Sequence, residues 1–421
     1  MTKVLLIGCG PLPTDEQAEV QFAQLRLWSI QKILHQADVK LETLFVDPKG
    51  KYGLDPLSTD PRTIQKHSQK FDLCITAGPF YPPLVGSWID PNIPLWVDWP
   101  SDPLADLHAQ QQSTALPRQT IGLAQEVFVA ALGRADAVGV ISKRQYWSTL
   151  GQMLTLGHEH PTLHQMIHQV PIAYDFPHVS HPPKNRIGGS ELTVAMCGSA
   201  NTWLQDQQLC KGLSLALDSL PNLKVQCFGG PIAHYTEGWD RIEAWASRYP
   251  NRVEIKKWLP QDQFLSRIKK AHCGIWLDRD GVEPLLGSRT RALFFGWMGM
   301  DIIGSPSSEL SAELQTHNIL NSVQDAAQIA SALGEIYHSP QGSANAAKQA
   351  YLQQTYSPSK VYQPLLTWIK NPTKTPNITG ELQAISENRA HLASELQKIH
   401  RSPTWKYMGA FHRFINKFTR R

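Results

Sequence analysis

Apolar residues along the chain fall into short continuous runs, each followed by a segment with helical spacing. Lys3-Val-Leu-Leu-Ile-Gly8 is the first run, and Phe22, Leu25, Trp28, Ile30 and Ile33 mark a helix within 17–36. Uninterrupted runs of this length fit strands buried on both faces, as in a parallel sheet. Further runs predict strands at 40–46, 72–77, 94–99 and 136–142, with helical patterns between them, notably at 119–133. The stretch 174–190, rich in proline and glycine, reads as a linker.

The alternation then restarts. Strands at 191–198, 224–230, 252–259, 273–278 and 300–305 precede helices near 203–219, 238–248, 261–270, 288–298 and 307–316. Two such series predict an α/β chain of two doubly wound, Rossmann-like domains facing a cleft. Their expected bounds are 1–173 and 191–370, followed by a helical tail at 371–421. Ligands of such sheets bind outside the carboxyl ends of the strands, so the loops there carry the candidate chemistry.

Composition narrows the class. Of 421 residues, 42% are hydrophobic and 18% charged, which excludes a disordered, collagen-like or coiled-coil chain. The net charge of +4 is unevenly placed, because 396–421 holds seven Lys/Arg and no acid. The rest has 33 basic against 36 acidic residues, so nucleic-acid binding by the body lacks electrostatic support. The six cysteines form no C-x-x-C pair and sit mostly in apolar runs, which suits reduced thiols in the cytoplasm. No apolar run reaches the roughly 18–20 residues of a spanning helix. Leu6-Ile7-Gly8-Cys9 looks like a lipoprotein cleavage box, but Val4–Ile7 is shorter than a signal core and reads as a buried strand.

Several motifs lie at strand ends. Gly8-Cys9-Gly10 begins like a dinucleotide loop but meets Pro13 where a third glycine belongs, so Gly10 is read as a turn admitting a ligand. Asp278-Arg279-Asp280 has the spacing of a divalent-cation pair, yet its place in a late surface turn argues against metal. The histidines at 158–181 are interrupted by Pro161 and form no zinc pattern. No metal or cofactor is expected.

Glu283-Pro-Leu-Leu-Gly-Ser-Arg-Thr-Arg291 is the strongest cluster. It places Ser288, Arg289 and Arg291 at a helix start, where two cations oppose the helix dipole unless an anion binds. The alternative is pairing of these arginines with Glu283 and Asp280. Gly198-Ser-Ala-Asn201 follows the first strand of the second series, a small-residue loop open to phosphate oxygens, with Lys211 two helical turns on. In the first series, Asp98 and Asp102 end the fourth strand. Trp96 and Trp99 flank Asp98 as sugar-binding faces, whereas Asp102 could instead cap a helix opened by Pro103.

Together these residues resemble the GT-B glycosyltransferases, specifically the retaining, family 4-like group that includes bacterial cell-surface polysaccharide transferases. The similarity covers about 1–370 and is carried by GSANTW, Lys211-Gly212-Leu213, VEPLLGSRTR, Trp297-Met298-Gly299, Ser308-Glu309-Leu310 and PLWVDWPSDP. It implies a nucleotide-sugar donor held by Gly198, Asn201, Lys211, Ser288, Arg289, Arg291 and Glu309. It also implies a lipid-linked or polysaccharide acceptor on the side of Gly10 and Asp102, with Glu283 near the ribose or transferred sugar. Asp98 is the candidate base should the reaction invert. Many members carry two glutamates separated by seven residues, the second lying five before a glycine. Counted from Gly299, those positions are Leu286 and Phe294, so Glu283 is displaced. The missing glutamate also allows a non-catalytic, nucleotide-sugar-binding scaffold.

In the tail, Tyr407, Met408, Phe411, Phe414, Ile415 and Phe418 would share one helical face, with Lys406, Arg413, Lys417 and Arg420 beside it. This predicts contact of 404–421 with an anionic membrane, on the inner face of the plasma membrane.

Overall fold

The structure, a computed structural model, describes residues 1–10, 12, 22–46, 60–79, 81–113, 118–158, 161, 163–173, 188–232, 235–339 and 343–375. The linker core at 174–187 and the expected basic helix at 404–421 lie outside the described residues.

The first half begins with β1 (Thr2–Gly8), α1 (Phe22–Gln36), β2 (Val39–Phe45), α2 (Pro61–Ser68) and β3 (Leu73–Ala77). It continues through α3 (Tyr81–Gly86), β4 (Leu95–Trp99), α4 (Pro103–Ser113), α5 (Arg118–Arg134) and β5 (Ala137–Val140). It closes with α6 (Lys143–Thr155), α7 (Leu163–Met166) and β6 (Ile167–Gln169). The second half opens with β7 (Leu192–Cys197), α8 (Asp206–Ser219), β8 (Leu223–Phe228), α9 (Glu237–Ala246) and β9 (Val253–Lys256). Then come α10 (Gln261–Ile268), β10 (Cys273–Ile275), α11 (Val282–Leu286), α12 (Thr290–Trp297) and β11 (Asp301–Gly304). The last elements are α13 (Glu309–Thr316), β12 (Leu320–Ser322), α14 (Ala326–His338), α15 (Ser343–Thr355), α16 (Pro358–Val361) and α17 (Gln363–Lys370).

Two parallel six-stranded sheets result, ordered β2-β1-β3-β4-β5-β6 and β12-β11-β10-β7-β8-β9. The apolar runs fill their centres: every residue of β3, β4 and β5 is buried. Large rings pack where strands lack side chains. A Cβ on Gly274 would lie 2.1 Å from the Phe295 ring, and one on Gly304 would lie 2.4 Å from Trp276. Any side chain at either position would displace a buried ring and overpack the core.

One boundary differs from expectation. Val361, Tyr362, Leu365, Trp368 and Ile369 share the first sheet's core with Val4, Leu6, Leu27 and Trp96. The chain therefore returns from the second sheet, so 358–370 packs with the first domain rather than the second. Beyond α17, Asp136 accepts from Lys374 Nζ at 3.0 Å and from the Thr375 amide at 2.8 Å, pinning the end of this unit.

Candidate functional site

In the second sheet the strand order reverses between β7 and β10, opening a crevice at their carboxyl ends. Gly198 ends β7 with φ +98°, a left-handed conformation that favours glycine. Its carbonyl oxygen lies 2.1 Å from where a Cβ on Gly229 would stand, so the two chain segments touch backbone to backbone. Arg291, in the first turn of α12, brings its guanidinium to 3.4 Å from the Cβ position of Gly198. Both line one pocket with Ser199, Ala200 and Trp239. Among the described residues, no carboxylate lies within ion-pair distance of Arg291. A partly exposed cation at a helix N-terminus, beside a glycine loop, is an arrangement that an anion completes.

Arg289 takes a different position. It occupies the left-handed region at φ 45°, just before α12, and this turns its side chain inward. There it donates to Glu283 Oε1 at 3.1 Å and Oε2 at 2.7 Å, and to Asp278 Oδ2 at 2.8 Å. Burial alone would lower the guanidinium, but the two carboxylates hold it above its ordinary value. Asp278 also accepts from Ser307 Oγ at 2.8 Å, while Asp280 is exposed. The pairing alternative thus describes Arg289 and Glu283, with Asp278 in the place expected of Asp280.

On the first sheet, Asp98 is fully buried and faces Arg26, not the cleft. Arg26 donates to Asp98 Oδ1 from Nη2 at 2.7 Å and to Oδ2 from Nε at 3.0 Å. Where the sequence suggested a base facing the cleft, the structure places Asp98 as the buried counter-ion of Arg26. Asp102 caps α4, accepting from the amides of Leu104 at 2.9 Å and Ala105 at 3.2 Å. Its other oxygen accepts from Gln152 Nε2 at 2.7 Å. Gly10 packs against Phe45, and its carbonyl accepts from Gln24 at 3.3 Å. Asp106, one turn into α4, was not read from the sequence. Burial, then the nearby Glu283 and Asp102 carboxylates, push its carboxyl well above the ordinary range.

Glu309 opens α13 and reaches the other domain. Its Oε1 accepts from the Lys143 amide and its Oε2 from the Arg144 amide, each at 2.9 Å, so it caps α6. Ser288 lines the depression beside it and pairs its hydroxyl with Thr290 at 3.0 Å. Asn201 turns its carbonyl oxygen onto the Thr202 amide at 2.7 Å. Lys211 is exposed on α8 and is not part of the lining shared by Gly198 and Arg291. The histidines disperse: His158 bonds the Leu132 carbonyl at 3.0 Å and His168 stacks on Trp96. Arg26 had a sequence signal, since FAQLRLWSI puts a cation in an apolar helix; Asp106 and Arg144 had none.

No protein-family model matches the chain, and no curated protein matches it. Solved structures do. The Anabaena protein HepE, in complex with UDP and glucose, is 12% identical with TM-score 0.58, covering 88% of this chain and 100% of its own. Sucrose-phosphate synthase from Thermosynechococcus elongatus is 15% identical with TM-score 0.56, covering 94% and 100%. The lipopolysaccharide outer core galactosyltransferase WaaB is 12% identical with TM-score 0.52, covering 87% and 99%. These are GT-B glycosyltransferases, and with two parallel six-stranded sheets flanked by helices this chain has the GT-B fold.

Proposed function

We propose that the protein is a glycosyltransferase moving a sugar, a hexose on the resemblance above, from a nucleotide-sugar donor to a lipid-linked or polysaccharide acceptor. The observation that carries this reading is Arg291 beside Gly198 at the second sheet's switch point. A leaving nucleotide diphosphate develops negative charge, and a fixed guanidinium with the α12 N-terminus stabilises it without reorganisation. On this reading the site works without a divalent cation and with retention of configuration. The tail, through 404–421, keeps the protein on the cytoplasmic face of the membrane.

A second reading, a nucleotide-sugar-binding subunit without turnover, is favoured by one observation: Asp98 and Glu283 are both committed to buried arginines. Incubating the full chain with labelled UDP-, GDP- and dTDP-sugars, with and without membrane lipid extract, tests both. Donor hydrolysis or transfer supports the enzyme, and tight binding without either supports the subunit. Failure to bind every donor overturns both.

A further inference from the structure

Carboxyl groups outnumber cations where the two domains meet at the cleft. Helix α4 of the first domain brings the buried Asp102 and Asp106, and the second domain brings the buried side chains of Asp278 and Glu283, with Arg289 between the last two. Helix α11, which carries Glu283, packs against α4, and the Gln112 side-chain oxygen lies 3.6 Å from the Cβ position of Gly281.

Three of the four carboxyls are satisfied as anions. Asp102 caps α4 and accepts from Ser148 Oγ at 3.1 Å as well as from Gln152. Glu283 takes both Nη groups of Arg289, and Asp278 takes its Nε. Asp106 is the exception, since among the described residues no cation lies within ion-pair distance of it. Arg289 already balances two carboxylates with one charge, so it cannot also neutralise a third. A buried carboxylate without a counter-ion is costly, and a second carboxylate beside it raises that cost.

The charged groups that face Asp106 are Glu283 of α11, Asp102 of its own helix and Arg289. His108 of α4, Glu126 of α5 and Asp280 are exposed, and Arg134 of α5 is paired with Asp136. Burial, then Glu283 and Asp102, raise the Asp106 carboxyl, and Ser101 and Arg289 oppose this less strongly.

We infer that α4 and α11 form a proton-dependent latch on the cleft, closed by a neutral Asp106 against Glu283 and released when Asp106 ionises. With the cleft open, Asp106 faces water and titrates in the ordinary carboxylate range. Closing therefore takes up one proton from solvent. The closing equilibrium should fall about tenfold per pH unit from about pH 4 upward, until the raised value of the closed form is passed. The latch bears on the candidate site through Glu283, which holds Arg289 two residues before Arg291. It operates whichever ligand the cleft takes.

Small-angle X-ray scattering of the full chain between about pH 5 and 9, at fixed ionic strength, tests the latch. The parent is compared with Glu309→Ala, which removes a second contact between the domains. The radius of gyration should rise with pH, most clearly in Glu309→Ala. Adding Asp106→Asn should hold it at its low-pH value throughout, and Asp106→Ala should do the same because it too removes the titrating group. A radius that stays constant with pH in Glu309→Ala, or that rises equally with and without Asp106, overturns the proposal.

Discussion

Glu309 accepts from Arg144 across the cleft. Its carboxylate takes the Arg144 amide at 2.9 Å, and the Arg144 guanidinium donates separately to the Ser307 carbonyl at 2.6 Å. A carboxylate from one domain thus completes the N-terminus of a helix in the other. Removing a charged cap of this kind costs about 1–2 kcal/mol. Glu309→Ala should therefore loosen the pairing of the two sheets, and small-angle X-ray scattering should show a larger radius of gyration. An unchanged radius would mean that the cap does not hold the domains together.

Arg289 and Arg291 stand two residues apart and should behave oppositely. Arg289→Ala strands the buried Asp278 and Glu283 carboxylates, and losses of about 3–5 kcal/mol are expected for such a change. Urea unfolding should report it as a lower midpoint. Arg291→Ala, which removes no ion pair among the described residues, should stay within about 0.5 kcal/mol of the parent. Equal destabilisation by the two would contradict the division of roles.

The buried Asp98–Arg26 pair makes a related prediction. Arg26→Ala leaves Asp98 without its counter-ion and should cost about 3–5 kcal/mol in unfolding free energy. A fully stable variant with lost turnover would instead restore Asp98 as a reacting group.

Asp106 gives a pH dependence whose sign follows from its raised carboxyl. The folded chain keeps a proton that the unfolded chain releases near pH 4, so this group's stabilising contribution falls as pH rises from there through the raised value. Asp106→Asn cannot release that proton. The difference in melting temperature, parent minus variant, should therefore decline with pH across this window. A flat difference would show that Asp106 ionises as it does in the unfolded chain.

Much of the architecture was legible because β3, β4 and β7 are apolar runs interrupted by one polar residue each, Thr76, Asp98 and Thr193. The three-residue strands β6 and β12 carry no such run and were missed. The return of α16 and α17 was also hidden, because Trp368 reads as an ordinary apolar helix residue until its contact with Trp96 is seen, at 5.6 Å between ring centroids. The proximity of Gly198 and Arg291 was legible because position alone, a strand end and a helix start, decided it. Side-chain partners were not legible where they lay far away in sequence. Asp98 sits in an apolar strand, and its neutralisation by Arg26 of α1 is a tertiary fact. The different roles of Arg289 and Arg291 depend on one left-handed residue, which local propensity does not place on arginine.

On the proposed function, Arg291, beside the Gly198 loop, binds the diphosphate of a nucleotide-sugar. Calorimetric titration of UDP and GDP into the parent and into Arg291→Ala tests it directly. The parent should bind at least one nucleotide, and the variant, with an unchanged melting temperature, should bind it at least about tenfold more weakly. Equal affinity in the two proteins would contradict the assignment.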